Sequence, residues 1–221
     1  MIYFDNVSKV YSGNSIALQG VTFSIEPKEF VSLVGQSGAG KSTLIRLLLA
    51  EEKPSSGKVF FESLDVHKLS RKEIPFVRRK IGTVFQDFKL LTDRNVFENV
   101  AFALRVAGYS NKKIKHRVYE VLTMTGISHK AKNFPHQLSG GEQQRVSIAR
   151  AMANEPYIIL ADEPTGNLDP QNSHEIIKIF QAIHTAGTAV LMATHDAGLI
   201  NSLPFRRIML NRGSLVNRDY I

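Results

Sequence analysis

A glycine-rich segment at residues 35–42 constrains the fold of this 221-residue chain more than any other feature. It reads GQSGAGKS, which fits the pattern GxxxxGK[ST]. It lies between the short apolar run Phe30–Val34, predicted as a strand, and Ser42–Ala50, predicted as a helix. A strand that passes through a glycine-rich turn into a helix is the start of an α/β unit.

The residue types in this turn are those that phosphate binding requires. Glycines let backbone N–H groups surround phosphate oxygens, and the helix that begins near Ser42 directs its positive end to the same place. The ammonium group of Lys41 can reach β- and γ-phosphates, and the Ser42 hydroxyl can ligate Mg²⁺. The sequence therefore predicts a nucleotide site formed by Gly35, Gln36, Ser37, Gly38, Ala39, Gly40, Lys41, Ser42 and Thr43.

A second apolar run ends in two carboxylates. Residues 157–163 read YIILADE, and a strand buried on both faces accommodates acidic residues only at its exposed carboxyl end. There, Asp162 can contribute to the ligand shell of Mg²⁺, and Glu163 can polarise an attacking water. The alternative is a strand stopped by two surface acids. The phosphate-binding segment upstream favours the catalytic interpretation.

A further helix start lies at residues 138–145, which read LSGGEQQR. Ser139 and Glu142 have the spacing of a capping box, which explains these two residues structurally. The box does not explain Gly140 and Gly141, because a glycine in a helix costs about 1 kcal/mol relative to alanine. Bare backbone at a helix N-terminus permits close approach of a phosphate, so we interpret this segment as a second anion-binding helix start.

Strand and helix patterns alternate along the chain, with a mostly helical stretch from Asn95 to Arg150. Asp169-Pro170 is typical of an N-cap followed by proline at the first helical position. Turn residues around Asn211-Arg212-Gly213 predict a hairpin within Arg207–Val216. The alternation indicates an α/β core with a helical insert.

Composition excludes several classes of protein. The absence of cysteine excludes thiol catalysis, thiolate metal sites and disulfides. The formal net charge of +8 suggests a polyanionic partner such as nucleotide, nucleic acid or an anionic membrane, although a solvated basic surface is equally consistent with it. No signal-peptide pattern and no apolar run of about 20 residues is present, so we expect recruitment to a membrane rather than insertion.

The segment LSGGEQQR resembles the signature motif of the ATP-binding-cassette (ABC) ATPases, and it precedes the acidic strand as it does in that family. The resemblance covers nearly the whole chain. It implies a RecA-like P-loop NTPase core, an antiparallel β subdomain and a helical insert. By the same resemblance, the core comprises residues 1–87 and 155–221, and the helical subdomain comprises residues 88–154.

The resemblance also implies roles for single residues. Tyr11 resembles the aromatic residue that stacks on adenine, with a core tyrosine as the alternative. Gln86, after the strand pattern Ile81–Phe85, is similar to the glutamine that meets Mg²⁺ and water. His195 resembles the switch histidine that contacts the γ-phosphate, and Gly166-Asn167-Leu168-Asp169 resembles the loop at the dimer interface. The implied catalytic residues are Glu163, His195, Lys41 and Gln86. The implied Mg²⁺ ligands are Ser42, Gln86 and Asp162.

Shorter matches are similar to one branch of the family. The segment around Thr165–Asp169 resembles the branch of lipoprotein-release, macrolide-efflux and cell-division ATPases, and residues 74–79 and 84–91 are most similar to its cell-division members. This resemblance implies a homodimer that encloses two Mg²⁺-ATP molecules, with Ser139, Gly140 and Gly141 of one subunit facing the phosphate loop of the other. It also implies an integral membrane partner of the FtsX type, contact with other division proteins, and a peripheral location on the cytoplasmic face of the bacterial cell membrane.

Two other functions remain open at this stage. One is an ATPase subunit of a lipoprotein-release or macrolide-efflux exporter, which shares the same chemistry with a different membrane subunit. The other is a non-transport ABC ATPase that acts on nucleic acid, for which the basic charge is the only support. We expect no nucleic-acid partner, because the chain has neither a tandem cassette nor a long coiled-coil insert.

Overall fold

A computed structural model describes residues 1–196, 198, 200 and 203–220, the last four of these as backbone only. Contacts divide the chain into two compact units, Met1–Arg78 with Ala189–Ile221, and Arg79–Thr188. The strands are β1 (Ile2–Tyr11), β2 (Ser15–Ile25), β3 (Phe30–Val34), β4 (Ser56–Phe61), β5 (Leu64–Asp65), β6 (Ile81–Phe85), β7 (Ile158–Asp162), β8 (Ala189–Thr194), β9 (Arg206–Asn211) and β10 (Ser214–Tyr220). The helices are α1 (Lys41–Leu48), α2 (Ile74–Arg79), α3 (Val96–Val106), α4 (Asn111–Met124), α5 (Gly140–Met152) and α6 (Pro170–Thr185).

The first unit contains an antiparallel sheet with the strand order β2-β1-β4-β5. Its long strands are joined by a turn in which Gly13 and Asn14 both have positive φ, as expected for a tight hairpin. Phe4 of β1 and Phe23 of β2 stack with their ring centroids 4.7 Å apart, and both rings are buried. Their burial against the rest of the unit fixes one face of this sheet as its core side.

Parallel strands of the first unit position the phosphate-binding segment. Strand β3 pairs with β8 and with β9 in parallel, and β10 pairs with β9 in the hairpin that the sequence predicted. Every residue of β8 is buried, as is usual for parallel strands covered on both faces. Val34 pairs with Thr194, so Gly35 and His195 leave the sheet at the same edge.

The second unit contains the parallel pair β6 and β7 together with α3, α4, α5 and α6. Phe85 pairs with Asp162, which brings the carboxyl ends of these two strands to one edge. Helix α6 begins as predicted, with the Asp169 side chain accepting from Asn172 N at 2.9 Å and proline at the first position. A short 3₁₀ turn at Pro135–Gln137 interrupts the mostly helical stretch.

No helix within the described residues has both the length and the apolar character that crossing a membrane requires.

Candidate functional site

The phosphate loop of the first unit closes on its own lysine. Gly40 is the N-cap of α1 and has φ 107°. The Nζ atom of Lys41 donates to the carbonyl oxygens of Gly35 at 2.7 Å and Gln36 at 3.2 Å, and its side chain is buried. These bonds hold the ammonium group inside the loop. When a phosphate group binds there, its oxygens can replace the two carbonyl oxygens as hydrogen-bond acceptors.

Gly40 is required for steric reasons as well as for its backbone conformation. A Cβ atom there would lie 2.5 Å from the carbonyl oxygen of Ala17 and 2.8 Å from Cδ2 of Leu18. A φ of 107° is also disfavoured for every other residue type. The loop shape therefore depends on glycine at this position before any phosphate binds.

Tyr11 lies beside the start of the same helix. Its hydroxyl is 3.4 Å from Oγ1 of Thr43, and Nζ of Lys9 lies 5.0 Å from the centre of its ring. The ring is half-buried at the end of β1, so Tyr11 is not a core tyrosine. Burial alone would raise the pKa of the neighbouring Glu52, but hydrogen bonds from Tyr11, Lys9 and Arg46 lower it. Tyr11 thus lies at a partly open, charged surface next to the phosphate loop.

His195 lies next to the phosphate loop at the edge of the sheet. It follows β8 directly, and the N–H of Gly35 donates to the carbonyl oxygen of Thr194 at 3.4 Å. The His195 side chain is exposed. The first unit therefore places Tyr11 and His195 each beside the phosphate loop.

The acidic strand end lies in the second unit together with Gln86. Because Phe85 and Asp162 are paired, Gln86 and the two carboxylates lie at the carboxyl ends of neighbouring strands. Glu163 has φ 48°, a left-handed conformation that costs a residue with a side chain about 1–3 kcal/mol and is concentrated at functional sites. The side chains of Asp162 and Glu163 are both half-buried.

Side-chain amides organise the loop that follows Glu163. Nε2 of Gln86 donates to Oδ1 of Asn167 at 3.1 Å, and Nδ2 of Asn167 donates to the carbonyl oxygen of Gln86 at 3.0 Å. Nε2 of Gln144, a fully buried residue of α5, donates to the carbonyl oxygen of Pro164 at 2.5 Å. The loop is thus held by Gln86, which directly follows β6, and by helix α5.

Helix α5 begins with the predicted capping box. Oγ of Ser139 accepts from the N–H of Glu142 at 3.3 Å, and Oε2 of Glu142 accepts from the N–H of Ser139 at 2.8 Å. This backbone hydrogen bond, aided by the ammonium group of Lys130, lowers the pKa of Glu142. The box satisfies two backbone donors of the helix start and leaves others at this end for a ligand.

Gly141 has a packing role that the sequence did not reveal. A Cβ atom there would lie 2.3 Å from Oδ1 of Asn172 in α6, so any other residue would displace the Asn172 side chain. A Cβ atom on Gly140 would meet no atom closer than 3.4 Å, the nearest being Cδ2 of Leu168. Of the two glycines, Gly140 is the one whose backbone is not explained by packing.

The candidate metal ligands are oxygen donors. Ser42 of the first unit offers a hydroxyl oxygen, and Gln86 and Asp162 of the second unit offer an amide oxygen and a carboxylate. Each is of the oxygen type that Mg²⁺ prefers, and this ion keeps much of its shell for phosphate and water. Among the described residues, no group of three His, Cys, Asp or Glu side chains could hold a metal ion by itself. The residues present therefore fit an ion that arrives with a phosphate ligand.

Comparison with known families assigns the chain to one family. The model of the ABC transporter family matches residues 18–166, from strand β2 to the loop after Glu163. The chain belongs to this family. It is an ABC-type ATPase.

Two related ABC ATPases match almost the full length of the chain. The cell division ATP-binding protein FtsE of Escherichia coli (strain K12) is 52% identical over 215 residues, which are 97% of this chain and 97% of that protein. FtsE of Bacillus subtilis (strain 168) is 52% identical over 219 residues, 99% of this chain and 96% of that protein. These relatives support a function in cell division.

A solved ABC ATPase shares the fold. The ATP-binding cassette MJ0796, in a dimeric post-hydrolysis state bound to ADP and Pi, superposes with a TM-score of 0.88 at 36% identity, covering 98% of this chain and 97% of that one. The predicted ABC ATPase fold, with its α/β core, antiparallel sheet and helical insert, is confirmed. The family binds and hydrolyses ATP, and the cassette with bound ADP and Pi agrees with this.

The structure also shows residues that the sequence analysis of this ABC ATPase missed. Buried Asn99 of α3 donates to the carbonyl oxygens of Leu91, Arg94 and Asn95 at 2.9–3.0 Å, and Arg150 of α5 donates to those of Phe88 and Lys89. Together they hold the segment after Gln86. An asparagine inside a helical pattern and an arginine near a helix end give no sequence signal that distinguishes them from surface residues.

Proposed function

We propose that this protein is the Mg²⁺-ATP-hydrolysing subunit of a membrane complex that regulates cell-wall hydrolysis during bacterial cell division. The supporting observation is the 52% identity, over 97–99% of the chain, to two proteins named as cell division ATP-binding protein FtsE. The phosphate loop, acidic strand end and capped glycine start that ATP hydrolysis needs are all present in this chain.

In the proposed reaction, the phosphate loop binds the triphosphate. The backbone N–H groups of residues 35–43 surround the phosphate oxygens, and Lys41 exchanges its bonds to Gly35 and Gln36 for bonds to the β- and γ-phosphates. The adenine ring stacks on Tyr11, which lies beside Thr43 at the half-open end of β1. His195, at the same sheet edge as Gly35, contacts the γ-phosphate.

Ser42, Gln86 and Asp162 would hold Mg²⁺, which neutralises charge on the phosphate oxygens when it is bound. Glu163 accepts a hydrogen bond from the attacking water and polarises it for in-line attack on the γ-phosphate. The left-handed backbone conformation of Glu163 is strained and persists because the surrounding folded chain holds it. The direction of the carboxylate depends on this backbone conformation.

We propose that the active state is a homodimer with composite sites. Each nucleotide is bound by the phosphate loop of one subunit and by Ser139, Gly140 and Gly141 of the other. The capped start of α5 supports this role, because it presents backbone N–H groups to an anion. The dimeric cassette MJ0796 with bound ADP and Pi is a related assembly.

The proposed membrane partner is an integral subunit of the FtsX type, to which other division proteins can be attached. The protein is then peripheral, at the cytoplasmic face of the cell membrane. We assign nucleotide binding to residues 1–87 and 155–221, and partner contact to the helical subdomain of residues 88–154. In the segment after Gln86, Phe88, Leu90, Leu91 and Phe97 are partly exposed and can contact a partner, whereas Val96 is fully buried.

Glu163→Gln tests the chemical step. The amide keeps the shape of the side chain and removes the charge that polarises water, so ATP should bind while hydrolysis falls by about 10²–10⁴-fold. Nucleotide affinity is measured with a fluorescent ATP analogue, and hydrolysis by phosphate release. Glu155→Gln, an exposed residue outside the proposed site, is the matched control. Hydrolysis by Glu163→Gln at the wild-type rate would contradict the assignment.

A further inference from the structure

One residue, Asn167, binds both the main chain and the side chain of Gln86. Nδ2 of Asn167 donates to the Gln86 carbonyl oxygen at 3.0 Å, and Oδ1 of Asn167 accepts from Nε2 of Gln86 at 3.1 Å. The two residues are separated by 81 positions in the sequence. No other hydrogen bond of the Gln86 side chain occurs within the described residues.

The chemistry of these two bonds determines the orientation of both amides. A backbone carbonyl oxygen can only accept, so the –NH₂ group of Asn167 must face it. Oδ1 of Asn167 therefore faces the Gln86 side chain, and because this oxygen also only accepts, the –NH₂ group of Gln86 must meet it. The reversed amide would set two oxygens against each other. Oε1 of Gln86 is consequently left for other partners.

Gly166 provides the space that this arrangement needs. A Cβ atom at residue 166 would lie 2.9 Å from Nε2 and 3.1 Å from Cδ of Gln86. The N–H of Gly166 donates to the carbonyl oxygen of Glu163 at 3.1 Å, so the same turn is tied to the main chain of the proposed catalytic residue. Gln86 and Glu163 are thus linked through two consecutive residues of one loop.

We propose that Asn167 is a positioning residue that holds the Gln86 amide with Oε1 available to the divalent cation. This inference rests on the proposed function, in which Gln86 is a ligand of that cation. Amide oxygens ligate Mg²⁺ and Mn²⁺, whereas amide nitrogens do not, so the reversed rotamer of Gln86 would lose the ligand. Because Asn167 belongs to loop 166–169, a change in that loop would be transmitted to Gln86.

The first test is spectroscopic and needs no nucleotide. The side-chain ¹⁵N–¹H₂ signals of Gln86 are assigned by their loss in Gln86→Ala. They should shift in Asn167→Ala and stay unchanged in Asn111→Ala, which removes the same amide from the exposed start of α4. Unchanged Gln86 signals in Asn167→Ala would overturn the inference.

The second test measures cation binding without turnover. In the Glu163→Gln background with bound ATP, Mn²⁺ affinity is titrated by electron paramagnetic resonance. Asn167→Ala should weaken Mn²⁺ binding about tenfold while ATP affinity stays within about twofold. The double variant with Gln86→Ala should be no weaker than Gln86→Ala alone, because Asn167 acts through Gln86. Additive losses, or Mn²⁺ affinity equal to that of the background, would overturn the inference.

A third variant tests the inference independently in case Asn167→Ala does not fold. Gly166→Ala keeps Asn167, and the φ of Gly166 lies outside the left-handed range, so alanine fits the backbone. Its methyl group should displace the Gln86 amide and weaken Mn²⁺ binding in the same way. A folded Gly166→Ala with unchanged Mn²⁺ affinity contradicts the inference.

A wild-type chain that binds Mn²⁺-ATP without hydrolysing it would overturn the proposed function alone, since the Mn²⁺ titration still decides whether Asn167 positions Gln86.

Discussion

The guanidinium group of Arg150 donates a hydrogen bond of 2.9 Å to the carbonyl oxygen of Phe88, 62 positions earlier in the chain. A second bond of 2.6 Å reaches the carbonyl oxygen of Lys89. Phe88 and Lys89 both have positive φ, a strained conformation for two consecutive residues with side chains. Burial lowers the pKa of Arg150, which nevertheless stays charged at physiological pH. Helix α5 therefore connects Ser139 at its start to the strained segment after Gln86.

Arg150→Ala should release this segment. Loss of two charge-assisted hydrogen bonds is expected to lower the free energy of unfolding by about 2–3 kcal/mol. Amide hydrogen exchange should accelerate in residues 88–95, while the phosphate loop keeps its protection. Arg150→Lys is the informative comparison, because an ammonium group cannot reproduce the two-pronged contact. Unchanged exchange in residues 88–95 of Arg150→Ala would show that Asn99 and local turns hold this segment without Arg150.

Ser139→Asp should test whether the start of α5 faces a nucleotide in another subunit. Aspartate caps a helix as well as serine does, so the fold should persist, but its charge would repel a phosphate. Hydrolysis should fall about a hundredfold. The matched control is Ser110→Asp at the N-cap of α4, which should hydrolyse ATP normally. We prefer Ser139 to Gly141 for this purpose, since any Cβ on Gly141 collides with Asn172.

Mixing two inactive variants then distinguishes the two arrangements of the site. A mixed dimer of Lys41→Ala and Ser139→Asp holds one intact composite site if the site is shared between subunits. Random pairing should restore about a quarter of the wild-type rate, because half of the dimers are mixed and each has one working site of two. If each subunit used its own α5, no mixed dimer would contain an intact site. An inactive mixture would therefore contradict the shared site.

Leu91→Gln should weaken recruitment to the membrane partner without affecting ATP binding. Leu91 is partly exposed, and its main chain is held by Asn99, so the substitution changes the surface while the backbone stays in place. Phe88 is the less suitable choice because its ring lies near Gly140. Leu64→Gln, at an exposed apolar position of β5 outside the helical subdomain, is the matched control. Fractionation of cells with and without the candidate partner measures the effect, and equal membrane association in both would indicate lipid binding by the basic surface.

The sequence alone predicted those parts of the site that depend on residues close together in the chain. The phosphate loop, the capping box of α5 and the Asp169 cap of α6 each need only a few neighbouring residues, because the backbone groups that they serve are local. The resemblance of these motifs, taken in order along the chain, also sufficed to predict the ABC ATPase family and its fold.

Only the tertiary structure decided the contacts between distant segments. Gln86 and Asn167 meet because β6 and β7 pair in one register, and Arg150 reaches Phe88 because α5 packs in the same unit. The packing requirement at Gly141 likewise depends on where α6 begins. The energies of hydrogen bonds and van der Waals contacts depend on interatomic distances to within a few tenths of an ångström. Sequence motifs specify only residue types and their spacing. The chain's motifs therefore determined which groups are available for the chemistry, and the packing of strands and helices determined which way the amide of Gln86 is turned.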